Sequence, residues 1–283
     1  MELTILGNAA GAPGPDGACP GYLVRTETSA VLLDCGPGVV GKLVAQQPVG
    51  ALTGVILSHL HLDHVHDLPV LFLKRWMERV SASRHLSRPH TLADAPALPV
   101  YLPPGGAAYV ESMLAAQGIK PGTDGVTTML SGVELREYDP NGDLVIGDLA
   151  FSFVGPTRHF PGECYAMRIA DPHGALLAYS GDTAPDDLIV AMARDADCFL
   201  CEATLTGADG TSDQTGRHLT AREAGEYAAA AGAHTLLLTH ILIHDDAWYA
   251  EMEQAARTSF GGPVAVAHIG RTFPVAAAAV VGS

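Results

Sequence analysis

The sequence predicts an α/β fold, an αββα sandwich with a functional site along one edge. Three observations lead there. Short β-branched and aliphatic segments alternate with helical ones through both halves of the 283 residues. A hairpin phrase occurs twice, as Gly21-Tyr-Leu-Val-Arg25 with Val31-Leu-Leu-Asp-Cys-Gly36, and as Cys164-Tyr-Ala-Met-Arg168 with Leu177-Ala-Tyr-Ser-Gly-Asp182. Each copy ends on an acidic residue beside a glycine, as two similar β-rich halves facing each other would. The densest polar cluster, Ser58-His-Leu-His-Leu-Asp-His64, separates an apolar strand from a helix and therefore sits at a strand end.

In chain order, Leu3–Leu6, Gly21–Thr26 and Ala30–Asp34 are predicted strands, the last two joined through Thr26-Glu-Thr-Ser29. Val39–Gln47 is a short helix and Gly54–Ser58 a buried strand. Val65–Val80 is helical, with Pro69 confined to its first turn. Residues 81–131, rich in Pro, Gly and Ala, are predicted to be an inserted connection. Strands follow at Leu149–Val154 and Tyr165–Ala170, with a return at Ala175–Ser180 out of the turn Asp171-Pro-His-Gly174. A helix Ala184–Arg194, strand Cys198–Cys201, helix Thr220–Ala231 and strand Thr235–Thr239 come next. Val264–His268 and Thr272–Val275 close the fold. The whole chain, 1–283, is read as a single domain.

Composition narrows the function classes. A formal charge of −15 argues against avid, non-specific nucleic-acid binding. Lys74, Arg75, Arg79, Arg84 and Arg88, beside His85 and His90, are a local exception: a solvated face, or a cationic lip for an anionic substrate. No apolar run reaches the roughly 20 residues that span a bilayer, so no membrane partner and a cytoplasmic protein are expected. The start, Met1 to Gly7, reads as a strand and not as a signal peptide. Five scattered cysteines do not form a disulfide framework, and Cys198-Phe-Leu-Cys201 lies in a buried strand.

Four potential ligands within six residues, His59, His61, Asp63 and His64, can converge from one tight loop, and imidazole with carboxylate suits zinc, manganese or iron. This HxHxDH phrase after a strand resembles the metallo-β-lactamase superfamily, whose remaining positions occur in order. Asp34 resembles an acidic residue that braces the site without ligating. His159 in Pro-Thr-Arg-His-Phe, Asp182 in Tyr-Ser-Gly-Asp-Thr and His240 in Leu-Leu-Leu-Thr-His resemble the later ligands. Alone, either histidine is an ordinary surface or core residue and Asp182 a helix cap; their order alongside HxHxDH reverses that. The resemblance implies a dinuclear centre, two divalent ions, zinc first. His59, His61 and His159 would hold one ion, Asp63, His64 and His240 the other, and Asp182 both. It covers nearly the whole chain, most weakly 81–131.

Phe199-Leu-Cys-Glu-Ala-Thr204 and Gly216-Arg-His-Leu-Thr-Ala221 resemble the ribonuclease Z-like phosphodiesterase branch, where a glutamate pairs with a histidine. Carried over, Glu202 and His218 join Asp63 as catalytic candidates, with His218 the proton donor to a leaving oxygen. Leu6-Gly-Asn-Ala-Ala-Gly-Ala-Pro13 also resembles that branch, while Arg158 and Arg168 are candidate phosphate contacts. The likeness runs closest to atypical class II cyclic-nucleotide phosphodiesterases. It implies attack by a metal-bridging hydroxide on a small anionic phosphodiester. RNA, through tRNA 3′-processing, is the second substrate, a lactonase or thioesterase a third reading, and a homodimer an analogy.

Overall fold

A strand buried on both faces reads as an unbroken apolar run, and the central strands of this chain's two sheets are of that kind. The computed structural model describes residues 1–85, 96–118, 130, 132–205 and 217–277. The first sheet holds β1 (Glu2–Gly7), β2 (Gly21–Arg25), β3 (Ala30–Leu33), β4 (Gly54–Ile56), β5 (Leu98–Leu102) and β6 (Val133–Glu137), with β14 (Thr272–Pro274) added outside β1. The second runs, in both sequence and space, through β7 (Leu144–Ile146), β8 (Leu149–Val154), β9 (Ala166–Ala170), β10 (Leu176–Tyr179), β11 (Cys198–Glu202), β12 (Leu236–Thr239) and β13 (Val264–Val266).

The pairing pattern is the same in both. Three antiparallel pairings (β14/β1, β1/β2, β2/β3) precede three parallel ones (β3/β4, β4/β5, β5/β6). The second sheet repeats this, antiparallel from β7 to β10 and parallel from β10 to β13. The doubled hairpin phrase is thus a doubled sheet: Asp34 follows β3 as Ser180 to Asp182 follow β10. Parallel strands gather their carboxyl ends along one edge, and loops leaving that edge can converge.

Alternation along each strand sorts the core into layers. Leu3, Ile5, Tyr22, Val24, Val31 and Leu33 meet Phe151, Met167, Ile169, Leu177, Tyr179 and Leu200 between the sheets. The alternate residues Leu6, Leu23, Leu32 and Val55 face outward beneath α1 (Val39–Gln46), α2 (Leu62–Val65), α3 (Leu68–His85) and α4 (Gly106–Ala116). Phe199, Cys201, Leu236 and Leu238 do the same beneath α5 (Leu188–Met192), α6 (Ala221–Ala231) and α7 (Asp246–Arg257). This is the αββα sandwich expected. Cys198 and Cys201 fall on opposite faces of β11, so they cannot pair, and all five cysteines are free and buried. No helix among the described residues is long and apolar enough to cross a membrane.

Three expectations need correction. Residues 81–131 are not merely a connection: β5 lies between β4 and β6, and α4 packs Val110 and Leu114 on the first sheet. Proline and glycine flank these elements and mask them. The expected helix Ala184–Arg194 shrinks to Leu188–Met192, because Ala184 precedes Pro185 and its N–H instead donates to Arg158 O (2.6 Å). The third concerns residues 240–263, over which the sequence predicts no element: they hold α7, where Asp245 caps the helix by accepting from Trp248 N (2.7 Å) and Met252 and Ala256 bury the inner face.

Candidate metal centre

The HxHxDH segment forms the loop from β4 into α2, with Asp63 and His64 inside that one-turn helix. Asp34, Asp182 and Glu202 come from the ends of β3, β10 and β11, and His240 from the end of β12. His240 has φ 56° and Asp34 φ 55°, a left-handed backbone uncommon outside glycine, and both turn their side chains into the site. His59, Asp63, His64, Asp182 and His240 are buried.

Each imidazole is tethered by its outer nitrogen, and that fixes which nitrogen faces inward. Asp34 Oδ2 accepts from Tyr179 OH (2.6 Å), Ser58 Oγ (2.8 Å) and His64 Nδ1 (2.8 Å), and Oδ1 accepts from Ser58 N (2.7 Å). Having donated to Asp34, the Ser58 hydroxyl accepts from His59 Nδ1 at 3.0 Å. Across the site Thr204 Oγ1 donates to Glu202 Oε2 (2.9 Å) and accepts from His240 Nδ1 (2.7 Å). His61 Nε2 donates to Pro161 O, and His159 Nδ1 reaches Arg217 O at 3.4 Å. Each half therefore supplies one carboxylate and one hydroxyl that orient a histidine.

The five inward nitrogens meet two carboxylates. Asp182 Oδ2 lies 3.8 Å from His59 Nε2, 3.8 Å from His159 Nε2 and 3.2 Å from His240 Nε2, while Oδ1 is 3.4 Å from His64 Nε2. Asp63 Oδ2 lies 3.2 Å from His240 Nε2 and 3.7 Å from His64 Nε2, and accepts from Gly11 N at 2.8 Å. His59 Nε2, His64 Nε2 and Asp182 Oδ1 are buried without hydrogen-bond partners. His61 Nδ1 and His159 Nε2 face each other at 2.9 Å, both as acceptors once their outer nitrogens are protonated. Orphaned acceptors this close call for a cation, and borderline divalent ions that take imidazole together with carboxylate fit the donor set.

Electrostatics point the same way. Burial raises the Asp63 and Asp182 carboxyls, but the surrounding imidazoles pull both well below the carboxylate range. Burial alone would lower His64, yet Asp182 and Asp34 on either side hold it well above the usual imidazole value. Burial lowers His59 and His159. Two donor groups result, His59–His61–His159–Asp182 and Asp63–His64–His240, each compact enough to hold an ion. Asp182, His218 and His240 make a third such grouping.

His218 lies beside the centre, its ring 5.2 Å from that of His240. Its Nδ1 is bound to Glu202 Oε1 (2.9 Å). Glu202 is fully buried and saturated: Thr183 N also reaches Oε1 (2.8 Å), and Thr204 Oγ1, Leu219 N (3.3 Å) and Thr204 N (3.4 Å) reach Oε2. Burial disfavours a charged His218, but the Glu202 carboxylate outweighs it and raises the imidazole to about 9. Thr220, two residues on, caps α6 in a capping box with Glu223, so one short segment both starts a helix and aims an acid.

A cleft of about 240 Å³ opens onto His61, Asp63, His159, Asp182, His218 and His240. Arg158 and Arg168 are not on it. Arg168 donates to Met192 O (2.9 Å) and Arg194 O (2.6 Å), closing the end of α5, and Arg158 binds Pro185 O (3.3 Å). The cleft's arginine is Arg217, adjacent to His218 in sequence, which was the available signal. Phe160, 73% exposed on the rim, and the tethers Ser58, Tyr179 and Thr204 also escaped sequence reasoning. Arg75 does not form a lip: it is buried and donates to Pro96 O (3.1 Å), while Lys74 pairs with Glu78 (3.7 Å). The side chains of Arg84, His85, Arg88 and His90 lie outside the described residues.

Comparison with known proteins adds independent lines. A family model described as "Beta-lactamase superfamily domain" matches residues 29–241. A protein of Mycobacterium tuberculosis is 35% identical over 278 residues, covering 97% of this chain and 92% of that one. The probable metallo-hydrolase YhfI of Bacillus subtilis is 32% identical over 95% of this chain and 98% of its own. Its crystal structure aligns with a TM-score of 0.78 at 27% identity, covering 96% and 98% of the two chains. A ribonuclease Z of Mycobacterium bovis is 32% identical, covering 94% and 95%.

Proposed function

This chain belongs to the β-lactamase superfamily and is a metallo-hydrolase of that fold, and we propose that it cleaves phosphodiester bonds of a small or cyclic nucleotide. The observation that carries this is the Glu202–His218 pair beside the metal centre, 2.9 Å apart and holding a proton up to about pH 9. Hydrolysis of an ester whose leaving group is an alkoxide needs an acid at that oxygen, and a carboxylate-backed imidazole supplies one. A thioesterase, whose leaving thiolate is stable, needs none.

In this reading His59, His61, His159 and Asp182 would hold one divalent ion, and Asp63, His64 and His240, with Asp182 available to both, would hold a second, zinc or else manganese or iron. When bound, such a pair lowers the pKa of water and draws charge from the phosphoryl oxygens. The chain's own groups do the rest. Gly11 N and the Asp34–Ser58 and Glu202–Thr204 tethers fix the donors, so little reorganisation accompanies reaction. Arg217 offers a cation to the phosphate at the mouth of the cleft. His218 passes its proton to the departing oxygen and Glu202 stabilises its charged form.

The charge of −15 and the small cleft favour a small substrate. The ribonuclease Z relative favours RNA as the second reading. The test is a metal-replete panel: bis-p-nitrophenyl phosphate, cyclic AMP, cyclic GMP, a precursor tRNA, a lactone and a thioester. Turnover of the phosphodiesters is expected; in His218→Ala, with bound metal retained, hydrolysis of cyclic AMP and cyclic GMP should be lost, while bis-p-nitrophenyl phosphate, whose p-nitrophenolate leaves without an acid, should be much less affected. Preference for the lactone or thioester overturns the assignment.

A further inference from the structure

A second cavity, of about 420 Å³, adjoins the catalytic cleft and takes no part in holding metal. We propose that it binds the nucleobase of a nucleotide diester whose phosphate occupies the metal centre. This rests on the phosphodiester reading for the identity of the substrate, not for the existence of the site.

Two neighbouring loops define its position. The loops 8–17 and 241–244 run side by side, locked by Ile241 N donating to Asn8 O (2.7 Å) and Ala10 N to Ile241 O (2.9 Å). Leu242 and Gly11 face the catalytic cleft, whereas His244 and Gly14 face the second cavity. Two residues of chain span at most about 7 Å, so the two spaces are the two sides of one thin ridge, within reach of a single nucleoside. Leu242 and Ile243 crown that ridge at 49% and 41% exposure. Two large aliphatic residues standing side by side in water on the ridge between the two spaces offer a surface on which a ligand lying across it packs.

The walls suit a flat heterocycle. Tyr249, in the first turn of α7, is fixed by a 2.7 Å hydrogen bond to His244 Nδ1. Its ring meets that of His268 at 84° with centroids 4.9 Å apart, and that of His244 at 89° and 6.0 Å. These perpendicular rings form a corner in which a base stacks on one face and meets the edge of another. Among the described residues no lysine or arginine lines the cavity, and its lining includes Asp16. Asp16 sits at φ 56°, in a turn closed by Gly17 N donating to Gly14 O (3.0 Å). That carboxylate repels phosphate and accepts from the N–H edge of a base, which gives the diester one orientation across the ridge.

The test compares thymidine 5′-(p-nitrophenyl phosphate) with methyl p-nitrophenyl phosphate, which share a leaving group and differ by the nucleoside. Tyr249→Ala should raise KM for the thymidine ester about tenfold, the scale of one base–aromatic stack, and leave kcat/KM for the methyl ester within twofold. Tyr249→Leu, which keeps the packing of α7, should do the same with an unchanged melting temperature. Equal losses on both esters, or none on either, overturn the subsite. If the wild type turns over neither ester, the phosphodiesterase reading fails alone, and calorimetric titration of the metal-free protein with thymidine decides the subsite. Saturable binding lost in Tyr249→Leu supports it, and no binding to the wild type sinks it.

Discussion

Replacing Glu202 with glutamine removes one charge and almost no volume, and its effect on turnover should depend on pH. Glu202 holds the His218 imidazole at about 9 against burial, from an ordinary value of 6.5. At pH 8 an imidazole with the raised value is about 90% protonated and one at 6.5 only about 3%, a loss of roughly thirtyfold in the acid form. At pH 6 both are mostly protonated and the loss is about 1.3-fold. Burial persists in the variant and lowers His218 while Asp182 and Asp63 still raise it, so roughly thirtyfold is the scale of the loss. Glutamine also turns an N–H toward donors that Glu202 accepted from, costing about 1–3 kcal/mol of stability, which a melting curve reads separately. The assay is kcat for a phosphodiester from pH 5.5 to 9.5, with metal content measured on the same samples. Wild-type activity should fall as pH rises through about 9, since the acid form is lost there, and the variant's alkaline limb should move below 7. A wild-type to variant ratio that stays flat across pH, or a variant that has lost its metal, refutes His218 as the acid that Glu202 sustains.

Asp182→Ala should lower bound zinc below one equivalent by elemental analysis, since that carboxylate lies within 3.8 Å of four inward imidazole nitrogens. His218→Ala should leave metal content unchanged, although His218 could complete a donor group with Asp182 and His240; loss of metal would make it a ligand. Gly36→Ala would place a Cβ 1.8 Å from Asp63 O and 2.7 Å from Cys19 Cβ. Backbone there has to move, so a cost of about 3 kcal/mol, a melting temperature lower by about 5–10 °C, and weaker metal binding are expected together. Thr220→Ala removes the α6 capping box for about 1 kcal/mol, read in a denaturant melt, and Thr220→Ser should restore it.

The seven expected ligands were legible because six carry short-range signals. HxHxDH places His59, His61, Asp63 and His64 on one loop, and Asp182 and His240 each follow an apolar strand that anyone reading period and burial would mark. His159, in an irregular segment, was placed by order alone, yet it reaches within 2.9 Å of His61. Arg158 and Arg168 misled because a cation near a motif in sequence need not face it: alternation on β9 sends Arg168 outward to cap α5. Arg217, one residue from a named site residue, faces the cleft instead.

Local pattern determined the rest of what the chain announced by itself. Apolar runs wrote the buried strands of both sheets but not β5, β6 or β7, the repeated hairpin wrote the symmetry, and donor chemistry wrote the preference for a divalent cation. Tertiary structure alone decided which nitrogen of each histidine points inward, because Asp34, Ser58, Thr204 and Pro161 arrive from separate strands and loops. It alone set β5 inside a segment that reads as a connection, and laid the 8–17 loop along 241–244 to raise a second cavity beside the first. The physical reason is range: hydrophobic period and ligand type act along the chain, whereas tautomer, register and the walls of a cavity are set mostly by groups that other strands and loops bring in.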